Sequence, residues 1–141
     1  MHRGVTLPEL LLALVLAGLL ALLSVPPLAA LRDRARVRSE TIRLVATLDL
    51  ARGAAIRLGS GVRVGLSDSV YQFTTSPIAG APESWRLPGT ATGGVLLSGA
   101  GAPIQFGAHG LAVGVSNRTL VLSRGSVTRR IVISRLGRLT W

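Results

Sequence analysis

The sequence predicts an α+β protein in which one long N-terminal helix packs on a mainly antiparallel β-sheet head. Two changes of pattern lead to this prediction. An apolar run without charged side chains, from Leu10 to Leu31, continues into a segment with helical periodicity that ends near Gly59-Ser60-Gly61. Beyond that point the hydrophobic period becomes the alternation typical of β-strands. We therefore expect a single helix from about Thr6 to about Leu58, followed by strands.

The second half of the predicted helix is amphipathic. Its apolar side chains recur at spacings of three, four and seven, at Val37, Leu44, Leu48, Ala51, Ala55 and Leu58. These spacings place them on one face of a helix, and charged residues such as Arg43 and Asp49 fall largely off it. Glycine is frequent just beyond the last helical residue, so we expect the helix to stop at Gly59.

Short strands are predicted after Gly61. Val62, Val64 and Leu66 alternate with Arg63 and Gly65, and Val70–Phe73 follows a Ser-Asp-Ser turn, which predicts a hairpin. The segment from Ser76 to Gly94 is rich in Pro, Gly, Ser and Thr and is expected to be a loop, with Trp85 as an isolated anchor. Further strands are expected at Val95–Leu97, Ile104–Phe106, Leu111–Val115, Thr119–Ser123, Val127–Ser134 and Arg138–Trp141, with a turn at Gly125.

Composition limits the chemistry available to the chain. A length of 141 residues suggests one small domain plus the N-terminal segment. There is no cysteine, which excludes disulfides, thiolate metal sites and thiol nucleophiles. The net charge is +10 and all 16 basic residues are arginine. Such a charge attracts polyanions, but an unspecific arginine excess of the whole composition is the plainer explanation and weakens the charge as evidence for nucleic-acid binding.

No enzymatic arrangement of side chains is visible. His109 lies in a Gly-Ala-His-Gly turn and is expected at the surface. Gly99-Ala100-Gly101 lacks the lysine and the strand-to-helix context of a phosphate-binding loop, so it is interpreted as a turn. We expect no catalytic activity, metal, cofactor or small-molecule substrate.

The apolar N-terminal run is long enough to cross a bilayer, since about 20 helical residues span a hydrocarbon core of about 30 Å. A secretory signal peptide would have a shorter apolar region, followed by a cleavage site. An ordinary signal anchor explains the length but gives no role to Glu9, a carboxylate at the mouth of the run. A third interpretation is a leader that is removed before the apolar helix.

The third interpretation rests on a motif. A short basic leader Met1-His2-Arg3 is followed by Gly4, Val5, Thr6-Leu7, Pro8 and Glu9, and then by the apolar helix. This stretch resembles the type III signal of type IV pilins and pseudopilins. Val5 stands where that signal usually has Phe, and Pro8 replaces a common Ile. A proline in the first turn is tolerated because its missing N–H has no helical partner there.

The resemblance implies roles for several N-terminal residues. Prepilin peptidase would cut between Gly4 and Val5 and methylate the new amine of Val5. Glu9 would pair with the amine of Val5 on a neighbouring subunit and set the register of assembly; the alternative is that it simply lies at headgroup level. Pro26 falls where these pilins carry a helix-bending proline. The implied organisation is a leader at 1–4, a transmembrane and assembly helix at 5–31, an amphipathic helix at 32–60 and a β-rich head at 61–141.

Two downstream stretches resemble one particular branch of the pilin-like proteins. Residues 48–59, LDLARGAAIRLG, are similar to the "L-x-x-A-R-x-x-A-I-x-x-G" pattern of GspH/FimT-type pseudopilins. The C-terminal segment from Arg129 to Ser134, with Gly137-Arg138-Leu139 after it, resembles their closing hairpin. The absence of a C-terminal cysteine pair favours a minor pilin or a pseudopilin over a major pilin.

The expected function is that of a subunit of a type IV pilus or a type II secretion pseudopilus. Its expected partners are prepilin peptidase, other pilins or pseudopilins in a helical filament, and the bacterial inner membrane, with the head in the periplasm. The alternative is a DNA-binding minor pilin acting in DNA uptake. Some FimT-like pilins bind DNA through a C-terminal Gly-Arg-x-Arg motif, and here Thr140 stands in place of the second arginine. The candidate DNA-binding residues are Arg129, Arg130, Arg135 and Arg138.

Overall fold

The computed structural model describes residues 5–76, 81–114 and 117–141, and excludes the side chains of residues 23–27. One helix, α1 (Leu7–Leu58), precedes all the strands, as the sequence predicts. It ends at Gly59, whose φ of 58° and N–H bonds to the last carbonyls form a left-handed cap.

Nine strands follow in the described part of the chain. They are β1 (Gly61–Leu66), β2 (Val70–Ser76), β3 (Ser84–Pro88), β4 (Leu96–Ser98), β5 (Ile104–Phe106), β6 (Ala112–Val113), β7 (Arg118–Arg124), β8 (Val127–Ile133) and β9 (Leu139–Thr140). A short 3₁₀ helix (Thr90–Gly93) lies between β3 and β4.

The strands form two antiparallel sheets. The first has the order β3-β2-β1-β5-β6, and the second has the order β4-β7-β8-β9. The predicted hairpins are present: β1 pairs with β2 around the Ser-Asp-Ser turn, and β7 pairs with β8 around Gly125, whose φ is 55°. The α+β prediction is therefore confirmed, and α1 packs against strands of both sheets.

The amphipathic face of α1 supplies the helical half of the core. Leu44, Leu48, Ala51 and Ala55 are fully buried, as their spacing predicts. They meet the inward side chains of the two sheets, which are Val62, Val64, Tyr71, Phe73, Leu120, Leu122, Ile131 and Ile133. Each large apolar side chain buried in this way contributes about 1.5–3 kcal/mol. Leu58 was predicted on the same face, yet it lies in the last turn and is 57% exposed.

The predicted loop between Ser76 and Gly94 is wrong in two places. Residues 84–88 form β3, which pairs with β2, and residues 90–93 form the 3₁₀ helix. All five residues of β3 are exposed, so this edge strand carries no alternation that a sequence pattern could report. Trp85 stacks on Phe73 with ring centroids 5.1 Å apart, so it does anchor the segment.

The remaining strand predictions differ only in their ends. β4 begins at Leu96 rather than Val95, and β6 covers Ala112 and Val113 only. Val115, the predicted end of that strand, lies outside the described residues. Strand ends depend on which residue last finds a partner, and a hydrophobic pattern does not carry that information.

Candidate functional site

The N-terminal end of α1 has the geometry of a helix cap. Thr6 is the capping residue, Pro8 lies in the first turn, and Glu9 lies three residues after the cap. The backbone N–H and the hydroxyl of Thr6 both donate to Glu9 Oε2 over 3.4 Å, which is the long end of the hydrogen-bond range. This is the Thr-x-x-Glu pattern of a capping box. Glu9 therefore has a local partner, which the sequence analysis did not anticipate.

Nearly all the described side chains in the first half of α1 are exposed. Its large apolar side chains are more than half exposed, among them Leu7, Leu14 and Leu22. The backbone remains helical through residues 23–27, but the side chain of Pro26 is outside the described part. Gly4, one side of the predicted cleavage site, also lies outside it, whereas Val5 is 68% exposed. Within the described residues, no helix has both the length and the apolar character needed to cross a membrane.

An ion pair joins the helix to the head just beyond Leu31. Arg124, at the end of β7, donates through Nε to Asp33 Oδ1 over 2.7 Å. Its Nη1 also donates to the carbonyl of Gly93 over 2.6 Å. One guanidinium thus connects α1, β7 and the 3₁₀ helix, and it fixes how the helix enters the head.

A buried polar cluster lies between α1 and the 3₁₀ helix. Glu40 is 7% exposed, and its Oε1 forms an ion pair with Arg43 over 3.4 Å. Arg43 also donates to the backbone carbonyls of Pro88 and Gly89. Three buried oxygen atoms find no partner within the described residues: Glu40 Oε2, Tyr71 Oη and Thr90 Oγ1. Buried polar groups of this kind are costly unless water reaches them.

The burial of the Tyr71 hydroxyl also changes its pKa. Burial raises the pKa of Tyr71 from 10.0 to about 12, and the positive charge of Arg43 only partly opposes the shift. Because the phenolate is disfavoured in the fold, the unfolded chain loses this proton first as the pH rises. The contribution to stability is therefore complete below pH 10.0 and is lost between pH 10.0 and about 12.

Tyr71→Phe is expected to keep the free energy of unfolding at neutral pH within about 1 kcal/mol of the wild type, since it removes a buried hydroxyl that has at most a weak interaction with the Thr90 hydroxyl. It should also remove the loss of stability between pH 10.0 and about 12. Chemical unfolding of both chains across that range measures the effect. The chain has one tyrosine, no lysine and no cysteine, so a loss that persisted in the variant would contradict the assignment to Tyr71.

The candidate DNA-binding arginines occupy three separate places. Arg129 lies on the same face of β8 as the buried Ile131 and Ile133, whereas Arg130 lies on the opposite face. Arg135 and Arg138 lie in the turn between β8 and β9. All four arginines are exposed. Because Arg129 and Arg130 lie on opposite faces of β8, the four arginines do not share one face of the sheet.

The turn that carries Arg135 and Arg138 is tightly held. The N–H of Gly137 donates to the carbonyl of Ser134 over 2.9 Å, and the N–H of Ala112 donates to the carbonyl of Arg135 over 3.0 Å. Gly137 has a φ of 71° and packs on Gly110, whose carbonyl accepts from Arg52 Nε over 3.1 Å. The turn is thus fixed near the far end of α1, away from the entry of the helix.

The described residues contain no group of three or more His, Cys, Asp or Glu side chains that could hold a metal ion. His109 is exposed in a turn, at the position that the sequence predicts. The surface features that remain are the apolar helix, the arginine positions and the edges of the two sheets.

Comparison with known protein families identifies the family of this chain. Residues 40–137 match the family described as type II transport protein GspH. The chain belongs to the GspH family. The resemblance to the GspH/FimT type is therefore confirmed. Residues 48–59 and Arg129–Ser134 lie inside the match, which ends at Gly137, one residue before Arg138.

Solved structures of type IV minor pilins share the GspH-family fold seen here. The crystal structure of the minor pilin FimU from Pseudomonas aeruginosa matches with a TM-score of 0.60 at 19% identity, covering 76% of this chain and 88% of that one. A second crystal form of FimU matches with a TM-score of 0.57 at 20% identity, covering 73% and 90%. The long helix on antiparallel sheets is the type IV pilin fold. No match was found among curated proteins.

Membership of the GspH family has general consequences for function. Family and fold are those of type IV minor pilins and pseudopilins, which are structural subunits of the cell envelope that associate with other pilins. The match leaves out the N-terminal residues Gly4, Val5, Glu9 and Pro26, so their roles are argued from the motif and from the geometry.

Proposed function

We propose that this GspH-family chain is a minor pilin or pseudopilin subunit that is cut between Gly4 and Val5 by prepilin peptidase and methylated on Val5. It then assembles through the first half of α1 into a type IV pilus or a type II secretion pseudopilus. Before assembly, α1 anchors the chain in the bacterial inner membrane, with the head in the periplasm.

The observation that carries this proposal is the exposed apolar first half of α1 on a GspH-family head. Its leucines are exposed to a degree that a soluble helix of this length would not sustain. No charged side chain occurs between Leu10 and Leu31, so bilayer or neighbouring helices are the surroundings that suit it. The match to the minor pilin FimU gives the same arrangement of helix and head.

The cleavage site is tested by Gly4→Ala. When the chain is expressed with a prepilin peptidase, we expect the wild type to lose residues 1–4 and to gain a methyl group on Val5. The variant should remain uncut, because an added Cβ at the bond before Val5 blocks the peptidase. Intact mass measurement distinguishes the two products.

Gly18→Ala is the matched control, since a Cβ at Gly18 meets no atom within 4 Å and the substitution favours helix. It should be cut as the wild type is. Complete processing of the Gly4→Ala chain would show that the proposed site is wrong.

DNA uptake is the second candidate function, supported by the exposed arginines of the β8–β9 turn. Phosphate contacts by Arg135 and Arg138 would make binding strongly dependent on salt. Duplex DNA binding by the full chain that is abolished by Arg135→Ala with Arg138→Ala would support this candidate. Absence of binding at low salt would remove it.

A further inference from the structure

A groove lined by arginines runs along the junction of α1 and β8, and we call it the basic groove. It consists of two adjoining cavities of about 600 and 460 Å³ that share Arg38 and Arg129. Arg34 and Thr128 line its lower part, while Ile42 and Trp141 line its upper part. Three guanidinium groups therefore border one open space, and none of the described residues that line it is acidic.

The acids nearest to this groove along α1 are already engaged. Asp33 forms its ion pair with Arg124, and Glu40 is buried beside Arg43. In the described part of the chain, Arg34, Arg38 and Arg129 form no ion pair. Their charges are therefore available to an anionic ligand from outside.

The groove lies immediately beyond the apolar run of α1. At 1.5 Å per residue, Arg34 and Arg38 are about 4.5 and 10.5 Å past Leu31 along the helix axis. The β7–β8 turn is at the same level, since a Cβ on Gly125 would stand 2.8 Å from Asp33 Oδ2. The polar layer of a bilayer is about 5–7 Å thick on each side. Side chains of a helix lean toward its N-terminus, which brings the arginine side chains closer to that layer.

We propose that the basic groove binds the phosphate headgroups of anionic phospholipids in the membrane that anchors α1. The inference rests on the proposed function, because it needs the apolar half of α1 inside a bilayer. Arginine donates pairs of hydrogen bonds to phosphate oxygens. Trp141, 57% exposed, lies in the upper wall of the groove with Ile42. A nucleic-acid duplex would have to reach the base of the head past the bilayer surface.

Binding of lipid would hold the head against the membrane before assembly. A head tethered in this way has a defined orientation relative to the bilayer, and extraction of the subunit into a filament must break the phosphate contacts. The lipid composition of the membrane would then influence how readily the subunit is released.

The test uses the full chain in bilayer nanodiscs of phosphatidylcholine, with or without phosphatidylglycerol. Trp85→Phe leaves Trp141 as the sole tryptophan, in the wall of the groove, and keeps an aromatic ring stacked on Phe73. In this background we expect the Trp141 emission to shift to shorter wavelength as phosphatidylglycerol is added, and to return in high salt.

The groove variant combines Arg34→Gln, Arg38→Gln and Arg129→Gln. It should need at least about five times more phosphatidylglycerol for the same shift. The control variant, with Arg57→Gln, Arg63→Gln and Arg86→Gln, removes three exposed charges outside the groove and should respond as the wild type does. Equal behaviour of the two variants, or no dependence on anionic lipid, would overturn the proposal.

Two further arms separate the other ligands. A shift produced by inorganic phosphate in neutral discs would assign the groove to free phosphate rather than lipid. A shift produced by duplex DNA, without one from phosphatidylglycerol, would assign it to nucleic acid. Failure of the chain to enter neutral discs, seen by size-exclusion chromatography, would defeat the proposed membrane anchoring and this inference with it. Incorporation without lipid dependence would defeat this inference alone.

Discussion

Gly137→Ala is expected to lower the free energy of unfolding by about 3–4 kcal/mol. Gly137 adopts a φ of 71°, in the left-handed region that residues with a Cβ rarely enter. A Cβ built there would stand 2.3 Å from the carbonyl oxygen of Gly110. That atom is backbone, and its carbonyl also accepts from Arg52, so the contact is relieved only by moving the turn away from α1.

Gly59→Ala is the matched control for this prediction. Gly59 has a comparable φ of 58°, but a Cβ there meets nothing within 4 Å. Its cost is therefore the conformational one alone, about 1–2 kcal/mol. Urea unfolding of the full chain, followed by circular dichroism, measures both variants. Equal destabilisation would show that the packing of the β8–β9 turn on Gly110 contributes nothing to stability.

The helix and the central strands could be predicted because their signals are local and periodic. Leu44, Leu48, Ala51 and Ala55 are spaced for one face, and that face is buried. Similarly, the alternation in β1 reports Val62 and Val64 as inward residues. A helix or strand that buries one face has apolar residues at the spacing of that face, so the sequence shows the element directly. The glycine after the helix marks where the helical spacing ends.

The division into two sheets and the strand β3 could not be predicted in the same way. β3 is exposed along its whole length and is defined by hydrogen bonds to β2 rather than by burial. Pairing across distant parts of the chain, such as β1 with β5 or β4 with β7, depends on the whole fold. The local sequence of a strand does not determine which distant strand it pairs with.

The arginine sites show the same division between local and long-range information. Alternation along β8 predicts correctly that Arg129 and Arg130 face opposite sides. The grouping of Arg129 with Arg34 and Arg38 depends on how β8 lies against α1, and the separation of these residues in the chain hides it. The capping role of Glu9, by contrast, was available from the sequence as Thr-x-x-Glu beside a proline.

Glu9→Gln is expected to reduce incorporation of the chain into filaments at least about ten-fold, because it removes the charge that, in the proposed assembly, would pair with the amine of a neighbouring Val5. Glutamine can still accept from Thr6 in a capping box, so the start of α1 should be preserved. The measurement is the fraction of chain in sedimented filaments from cells that express the partner subunits. Intact mass checks that the variant is still cleaved and methylated.

Comparison with Glu9→Ala separates the proposed intersubunit role of the Glu9 charge from its contact with Thr6 at the start of α1. Alanine removes both the charge and the cap, whereas glutamine removes the charge alone. If the intersubunit ion pair drives assembly, both variants should fail to the same extent. If Glu9→Gln assembles as the wild type does and Glu9→Ala does not, the carboxylate acts through Thr6 and the first turn of α1. The hydrogen bonds to Thr6 are long, at 3.4 Å, and a weak local partner leaves the carboxylate free to exchange it for a stronger, charged one.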